Sequence, residues 1–430
     1  MKMKPAVAVI GAAAVAVSMA GCSGNNASTQ STTASQLTVM VTNSPSATAL
    51  QAIAPAYEKK TGTKIDFVTV SGDQLATKLV LSGKSKTATF DIAQFDQPQL
   101  ASIVPAHALL PLDKYLTSDK TYDFSDFQKP LQEYTQIDGT SYGIPLSTEP
   151  YVNFYRTDLF DQAGLKAPTT WSEVDAAAKA ISAAGGYGFD GPYGPTLDSG
   201  PEYFERLLEN GGRLLDPKSG EPLLDSKLAI DVMKDTIDLA KYSPPSTLAG
   251  TAGDSATAFT QQNVGQNIQP SGWYGTLDDP KSSKAVGKIG VAPVPSATVG
   301  PYQPANILKG WVIGINANTQ HAAAAWNFLS FALGKDNVQK FIDAGAPVPG
   351  RTSTLQSTKY NGELPYLKYL LPSIQSGTTL PVIPELTQIT VDVCQAMSKM
   401  ANQGADVSST MKSLNEQVKQ LLVQDGRIKQ

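Results

Sequence analysis

Between residues 37 and 97 short apolar runs alternate with helix-period segments, and this alternation restricts the possible folds more than any other feature of the chain. Leu37-Thr38-Val39-Met40-Val41 reads as a buried strand ending in the polar loop Thr42-Asn43-Ser44. Leu50, Ile53, Ala54 and Tyr57 then recur at helical spacing before a Thr61-Gly62 stop. Pro55 inside that pattern predicts a kinked or shortened helix. Residues 64–70 read as a second strand, 74–81 as a second helix, and 90–95 as a third strand ending at Asp96-Gln97. A β-α-β-α-β order predicts an α/β fold with a mostly parallel sheet covered on both faces. Ligands of such sheets sit at the carboxyl ends of the strands, so the loops at Asn43 and Asp96 face the ligand side.

A second set of elements begins near residue 150. Residues 151–155 are strand-like, and Thr170-Trp171-Ser172-Glu173 is a capping box that opens a helix bearing Val174, Ala177, Ala178 and Ile181 on one face. Helices are expected at 202–209 and 228–242, with Pro244-Pro245 as a stop. The polar, Gly-rich stretch 243–272 gives little signal. A strand at 309–315 and helices at 320–333, 335–343, 386–402 and 408–423 complete the reading. Met411, Leu414, Val418 and Leu421 form one core stripe on the last helix.

Composition removes several function classes. The 430 residues carry 34 Lys+Arg against 38 Asp+Glu, and a net charge of −4 lacks the basic excess of a nucleic-acid protein. Two histidines cannot build a multi-His metal site, and two cysteines cannot build a disulfide framework. No metal and no cofactor is therefore expected. No phosphate-binding Gly loop, GxSxG elbow, HExxH or EF-hand loop occurs. Asp119, Asp123 and Asp126 lack the central glycine of a calcium loop and read as a solvated acidic loop. His107 and His321 read as structural. Trp171 and Trp326 lie at helical positions and read as core, whereas Trp273, in Pro270-Ser271-Gly272-Trp273-Tyr274, and Trp311, in Lys309-Gly310-Trp311, lie where a ligand could reach them. Aromatic faces with a few polar groups suit a sugar, whose C–H faces stack while its hydroxyls demand hydrogen bonds.

The N-terminus reads as a secretory signal. Lys2 and Lys4 precede an apolar run at 5–20, too short to span a bilayer. Met19-Ala20-Gly21-Cys22 resembles a bacterial lipobox, although Met19 stands where that box usually has Leu. Residues 1–21 are thus expected to be removed and Cys22 to be acylated. Residues 22–36 carry no charge and no large apolar side chain, and a tether of that length holds the folded body about 20 Å from the membrane. Cys394, the thiol then remaining, reads as a small buried hydrophobe.

Taken in order, several segments resemble the bacterial extracellular solute-binding proteins of carbohydrate ABC importers, the relatives of maltose-binding protein. They are 50–61 (LQAIAPAYEKKT), 91–97 (DIAQFDQ), 142–165 (YGIPLSTEPYVNFYRTDLFDQAGL) followed by 170–174 (TWSEV), 287–295 (GKIGVAPVP), 310–316 (GWVIGIN) and 323–331 (AAAWNFLSF). The likeness runs over nearly all of 37–425, and 278–295 with the 242–245 turn looks most like the branch that binds sugars and polyols. The resemblance implies a two-lobed receptor of the periplasmic-binding type II fold, with mixed, mostly parallel sheets and a hinge. It would be a monomer, not an enzyme, that closes on a small carbohydrate or polyol and passes it to a permease. It would sit on the extracellular face of a Gram-positive cytoplasmic membrane. Lobe 1 would comprise 37–147 and 309–350, lobe 2 148–308 and 351–430, with crossings near 146–149, 304–309 and 350–355.

Residue by residue, the resemblance implies that Asp96 bonds ligand hydroxyls and that Glu149, beside Tyr151, is the acidic group after the hinge. Trp273, followed by Tyr274, would be the stacking aromatic of lobe 2. Gly310 and Trp311 would line the cleft, Arg351 would reach the ligand, and Asn43 and Gln97 would face it from their loops. Where some oligosaccharide binders carry a further Trp near Pro384, this chain reads Glu385-Leu386-Thr387-Gln388-Ile389-Thr390, which favours a short sugar or a polyol. A receptor for a non-sugar solute, a surface carbohydrate-active enzyme and an adhesin stay open as alternatives.

The leader reading is tested on Cys22→Ser, which is expected to leave the cell surface or to accumulate unprocessed. Mass spectrometry that places the mature N-terminus anywhere but Cys22 would refute it.

Overall fold

The computed structural model describes residues 34–197 and 199–429, so the expected leader, Cys22 and the first part of the tether lie outside the described residues. Among the described residues ten strands form three sheets: β1 (Gln36–Val41), β2 (Lys64–Thr69), β3 (Ile92–Asp96), β4 (Gln136–Ile137), β5 (Thr140–Ser141), β6 (Ile144–Pro145), β7 (Tyr151–Arg156), β8 (Gln266–Pro270), β9 (Ile289–Pro293) and β10 (Trp311–Ile315). The first lobe is built on the order β2-β1-β3-β10-β6, in which β1 runs parallel to β2 and β3 while β10 is antiparallel to β3 and β6. The second lobe holds β8-β7-β9, and β4-β5 is a small hairpin. Expected parallel pairing thus holds for the first three strands. The second sheet is wholly antiparallel, because both neighbours of β7 return in the opposite direction after helical excursions.

Leu37, Val39, Met40 and Val41 are all buried, as a strand covered on both faces requires. The first helix, Pro45–Thr61, starts at Ser44, whose hydroxyl accepts from Ala47 N (3.3 Å), and stops at Gly62 in the left-handed region. It runs unbroken through Pro55. That proline and Gln51, four residues earlier, are both exposed, so the carbonyl deprived of its N–H partner faces water rather than the core. Around the second sheet pack the helices Trp171–Ala183, Gly200–Glu209, Lys227–Ala240, Leu386–Gln403 and Val407–Gln424. Thr170 and Glu173 form the capping box reciprocally at 3.2 and 3.0 Å. Met411, Leu414 and Val418 are buried beside Met397, and Leu422 rather than Leu421 completes their stripe.

The stretch 243–272 holds more structure than its composition suggested. It contains the helix Ala252–Gln261 and all of β8, whose five residues are buried although three are amides. Two of them donate to other elements of the same lobe: Gln266 Nε2 to Val174 O (2.7 Å) and Asn267 Nδ2 to Ser255 Oγ (2.7 Å).

Two links join the lobes at 146–150 and 294–310. The third passage is longer than 350–355. Ser353 still bonds Asp126 of the first lobe, and the helix Leu367–Gln375 packs against both Lys129–Glu133 and β9. The stretch before it, 348–350, lies against the first link. Thr148 N donates to Val348 O (3.0 Å) and its hydroxyl to Pro349 O (3.0 Å). On the other side Leu146 N donates to Trp311 O (2.8 Å) and Glu149 N to Lys309 O (2.7 Å). Two glycines permit this closeness. A Cβ on Gly310 (φ +149°) would lie 2.2 Å from Ser147 O, and one on Gly350 (φ +84°) 2.2 Å from Thr148 Oγ1.

Gly310→Ala is expected to lower stability by about 2 kcal/mol or more, since the added methyl meets backbone at a positive φ. Urea unfolding reads this out. A loss below about 0.5 kcal/mol would mean that the three segments yield easily.

Candidate ligand-binding cleft

A cleft of about 890 Å³ opens between the lobes where the three segments meet. From the first lobe it is lined by Ser44, Pro45 and Ser46 at the start of the first helix, and by Asp96, Pro98 and Gln99 after β3. Trp311, at the head of β10, pairs in register with Asp96, so indole and carboxylate lie side by side on one sheet face. Asp96 Oδ1 accepts from Gln97 N (2.9 Å), and Gln99 Oε1 accepts from Asp96 N (3.0 Å), which fixes the turn. Asp96 Oδ2 pairs with Lys309 Nζ at 3.1 Å.

From the first link Glu149 and Tyr151 enter the cleft. Glu149 Oε1 accepts from Ser147 Oγ (2.5 Å), and the same hydroxyl oxygen accepts from Trp311 N (3.0 Å). Its other oxygen rests on the bare Cα of Gly272, where a Cβ would come within 2.4 Å. Burial pushes the Glu149 carboxyl above the ordinary carboxylate range; the Ser147 hydroxyl and the Lys309 charge oppose that rise, and Asp96 adds to it. The chain leaves β8 through a short turn that presents half-buried Trp273 to the cleft, with Gln269 and Thr276 on either side. Further along, Leu197, Pro201, Ile383, Leu386, Thr387 and Thr390 line the second-lobe wall.

Asp96, Glu149 and Lys309 are the charged groups among the described lining residues. Such a cleft can lay a C–H-bearing face on its indoles while its carboxylates accept from O–H groups, the stronger, charge-assisted kind of hydrogen bond. Among the described residues no cluster of three or more His, Cys, Asp or Glu could hold a metal ion.

Of the expected contacts, Asp96, Glu149, Tyr151, Trp273 and Trp311 come together in this lining, and five others lie outside it. Arg351 is 1% exposed and sits under Tyr122 and Phe127, its guanidinium 4.5 and 4.7 Å from their ring centroids. It donates to Leu333 O (3.2 and 3.1 Å) and Asp123 O (3.1 Å) and so secures the third segment to the first lobe. Tyr274 turns behind the wall onto Phe154 and Tyr366 and bonds Asp278 (3.2 Å). Gly310 packs on the first link and accepts from Tyr134 Oη (2.8 Å) through its carbonyl. Gln97 is buried, and Asn43 is exposed beside its loop neighbours that do line the cleft. Sequence reasoning missed Lys309, Gln99 and Gln269. The Lys309-Gly310-Trp311 triplet carried the signal for Lys309, whereas nothing in the local pattern marks the two glutamines.

The other sequence-marked residues also have structural places. Trp326 is buried and donates from Nε1 to Asp119 (3.0 Å), and Trp171 lies 4.5 Å under the Arg206 guanidinium. Asp123 and Asp126 pair with Lys335 at 3.0 and 3.3 Å, so the acidic loop is a bracket against 321–353 rather than a merely solvated one.

The sequence profile of the family described as bacterial extracellular solute-binding protein matches residues 42–339. A Sinorhizobium fredii protein named as a probable amino-acid ABC transporter periplasmic-binding protein is 25% identical over 79% of this chain and 78% of its own length. A mannitol-binding protein of Pseudomonas aeruginosa is 23% identical over 85% of this chain and 88% of its own. Among solved structures, a solute-binding protein of Agrobacterium vitis with bound D-mannitol superposes with a TM-score of 0.79, at 25% identity, over 91% of this chain and 99% of that one.

Arg351→Lys is expected to cost about 2–4 kcal/mol of stability, because an ammonium cannot make the three guanidinium bonds and leaves buried carbonyls unpaired. Ligand affinity per folded molecule is expected to hold. A variant that melts normally but loses affinity would return Arg351 to the ligand.

Proposed function

The chain belongs to the bacterial extracellular solute-binding proteins, and from that premise we propose that it captures a neutral, polyhydroxylated small molecule, a short sugar or a polyol, in the cleft between its lobes. The observation that carries this reading is the pairing of two cleft-lining indoles, Trp273 and Trp311, with the carboxylates of Asp96 and Glu149. Indole faces take the C–H surface of a ring or polyol chain, and the carboxylates read its hydroxyls. The mannitol named in one relative and bound in one neighbouring structure agrees with this chemistry.

The amino-acid name of another relative suggests a second reading. An α-carboxylate would need a cation aimed at it. Among the described lining residues Lys309 is the cation, and its ammonium is already engaged by Asp96 at 3.1 Å. The same engagement disfavours uronic and phosphorylated sugars. Both carboxylates are held by backbone, hydroxyl or ammonium groups, which supports binding and release of an unchanged ligand rather than catalysis. The chain would hand its ligand to an ABC permease, work as a monomer and be held at the extracellular membrane face through a lipid on Cys22. Residues 146–149, 304–309 and the third passage beyond Ser353 would serve as hinge segments, the lobes closing as in other binding proteins of this architecture.

Calorimetry against D-mannitol, ribitol, D-tagatose and maltose tests the site. Trp273→Ala and Trp311→Ala are each expected to lose about 1–3 kcal/mol of affinity for whichever probe the wild type binds, with little change in melting temperature. Small-angle scattering should show contraction on binding. If both variants fold and bind as the wild type does, the proposed site is wrong.

A further inference from the structure

The assignment of Asp96 and Glu149 as hydroxyl acceptors leaves Lys309 without a role of its own. It occupies the one place where the first lobe and both neighbouring links converge. Its backbone carbonyl accepts from Glu149 N (2.7 Å), its neighbour Gly310 lies under Ser147 O, and its ammonium reaches Asp96 Oδ2 at 3.1 Å. About a third of the Lys309 side chain stays exposed to the cleft. Two carboxylates sharing a confined space raise each other's cost of ionisation, and a neighbouring cation lowers it.

We infer that Lys309 is the positioning residue of this cleft: held on the central link, it ties down the Asp96 carboxylate and favours the charged form of Glu149, so that both acids present oxygens to ligand hydroxyls. The inference rests on the proposed ligand class but can fail separately from it. Around Glu149 the titratable and charged groups include Asp96, Lys309, Tyr151 in the same lining and the buried phenols Tyr134 and Tyr366, and the last two are themselves pushed up in part by Glu149. Neither Tyr134 nor Tyr366 ionises near neutrality, so the charged form of Glu149 is supported first by the Ser147 hydroxyl at 2.5 Å and next by the Lys309 charge. Because Glu149 is raised by burial, its contribution to stability is full below the ordinary carboxylate range and is lost as pH climbs through the raised value. Without Lys309 that loss moves to higher pH and grows.

The test has two readouts, one of which needs no ligand. Carboxyl carbon NMR on selectively labelled wild type, Lys309→Met and Lys309→Arg follows the Glu149 resonance, assigned with Glu149→Gln. Glu149 is expected to titrate at higher pH in Lys309→Met and at the wild-type pH in Lys309→Arg. Calorimetry with D-mannitol, ribitol and maltose reads recognition: Lys309→Met is expected to bind roughly tenfold or more weakly at neutral pH, and Lys309→Arg to recover most of that. An unmoved Glu149 titration in Lys309→Met overturns the inference, as does a moved titration with unchanged affinity. If the wild type binds none of the probes, the ligand reading fails while the titration still decides the part played by Lys309.

Discussion

The architecture depends on the packing of three chain segments, 146–149, 309–311 and 348–350, side by side between the lobes. Thr148 bonds one neighbour and its flanking residues bond the other, with hydrogen bonds of 2.7 to 3.0 Å. Backbones can approach this closely only where no Cβ intervenes, and Gly310 and Gly350 supply that absence on the two sides of the 147–148 pair. Through this contact the end of β3, the head of β10 and the exit toward β7 all converge. The charged residues of the cleft are consequences of it. Glu149 and Lys309 are the residues at which two of the segments exchange a hydrogen bond, and Asp96 pairs in register with Trp311, the residue that follows Gly310.

This origin gives the cleft an electrostatic character that its surroundings could not otherwise sustain. Glu149 packs against Gly272 and Ser147 in a wall whose burial raises its carboxyl. A neutral acid both donates and accepts, whereas a carboxylate only accepts and bonds hydroxyls more strongly. The Lys309 ammonium on the shared link opposes that rise at Glu149 and pairs with Asp96, and it comes from backbone that Glu149 N already holds. On the proposed reading, recognition and lobe connection fall to the same few residues.

How much of this was legible in the sequence follows from which physical signals are local. Apolar periodicity located β1, its helix and the stripe on the last helix, because burial on one face leaves a repeating trace. It failed at β8, whose buried Gln266 and Asn267 donate from their amides to tertiary partners that no local pattern shows. It also read Pro55 too strictly, since the cost of a lost helical hydrogen bond is small on an exposed face. The cleft residues nearest in sequence to strand ends, Asp96 and Trp311, were legible because strand ends are where such sheets hold ligands. Arg351 was not. The family resemblance implied a ligand contact, but two aromatic faces and two backbone carbonyls hold this guanidinium buried. Only the fold distinguishes these environments.

The second-lobe wall also bears on how a small ligand could be held. One end carries Trp273, and the other is aliphatic, with Leu197 42% exposed beside Ile383 and Leu386. Only the first end offers a π face, so directional contacts concentrate where Trp273, Trp311, Asp96 and Glu149 meet. The volume of about 890 Å³ lies toward the upper end for a small-molecule site, well beyond what one ring or a short polyol fills. A site that must surround most of its ligand then has to contract. The aliphatic end is suited to that contraction, because apolar surface brought together releases water without demanding paired hydrogen bonds. The polar end is not, since its charged groups are already fixed by the shared segments. For the proposed ligand class, closure is accordingly favoured by burial at the aliphatic end, and discrimination among ligands resides at the aromatic, charged end.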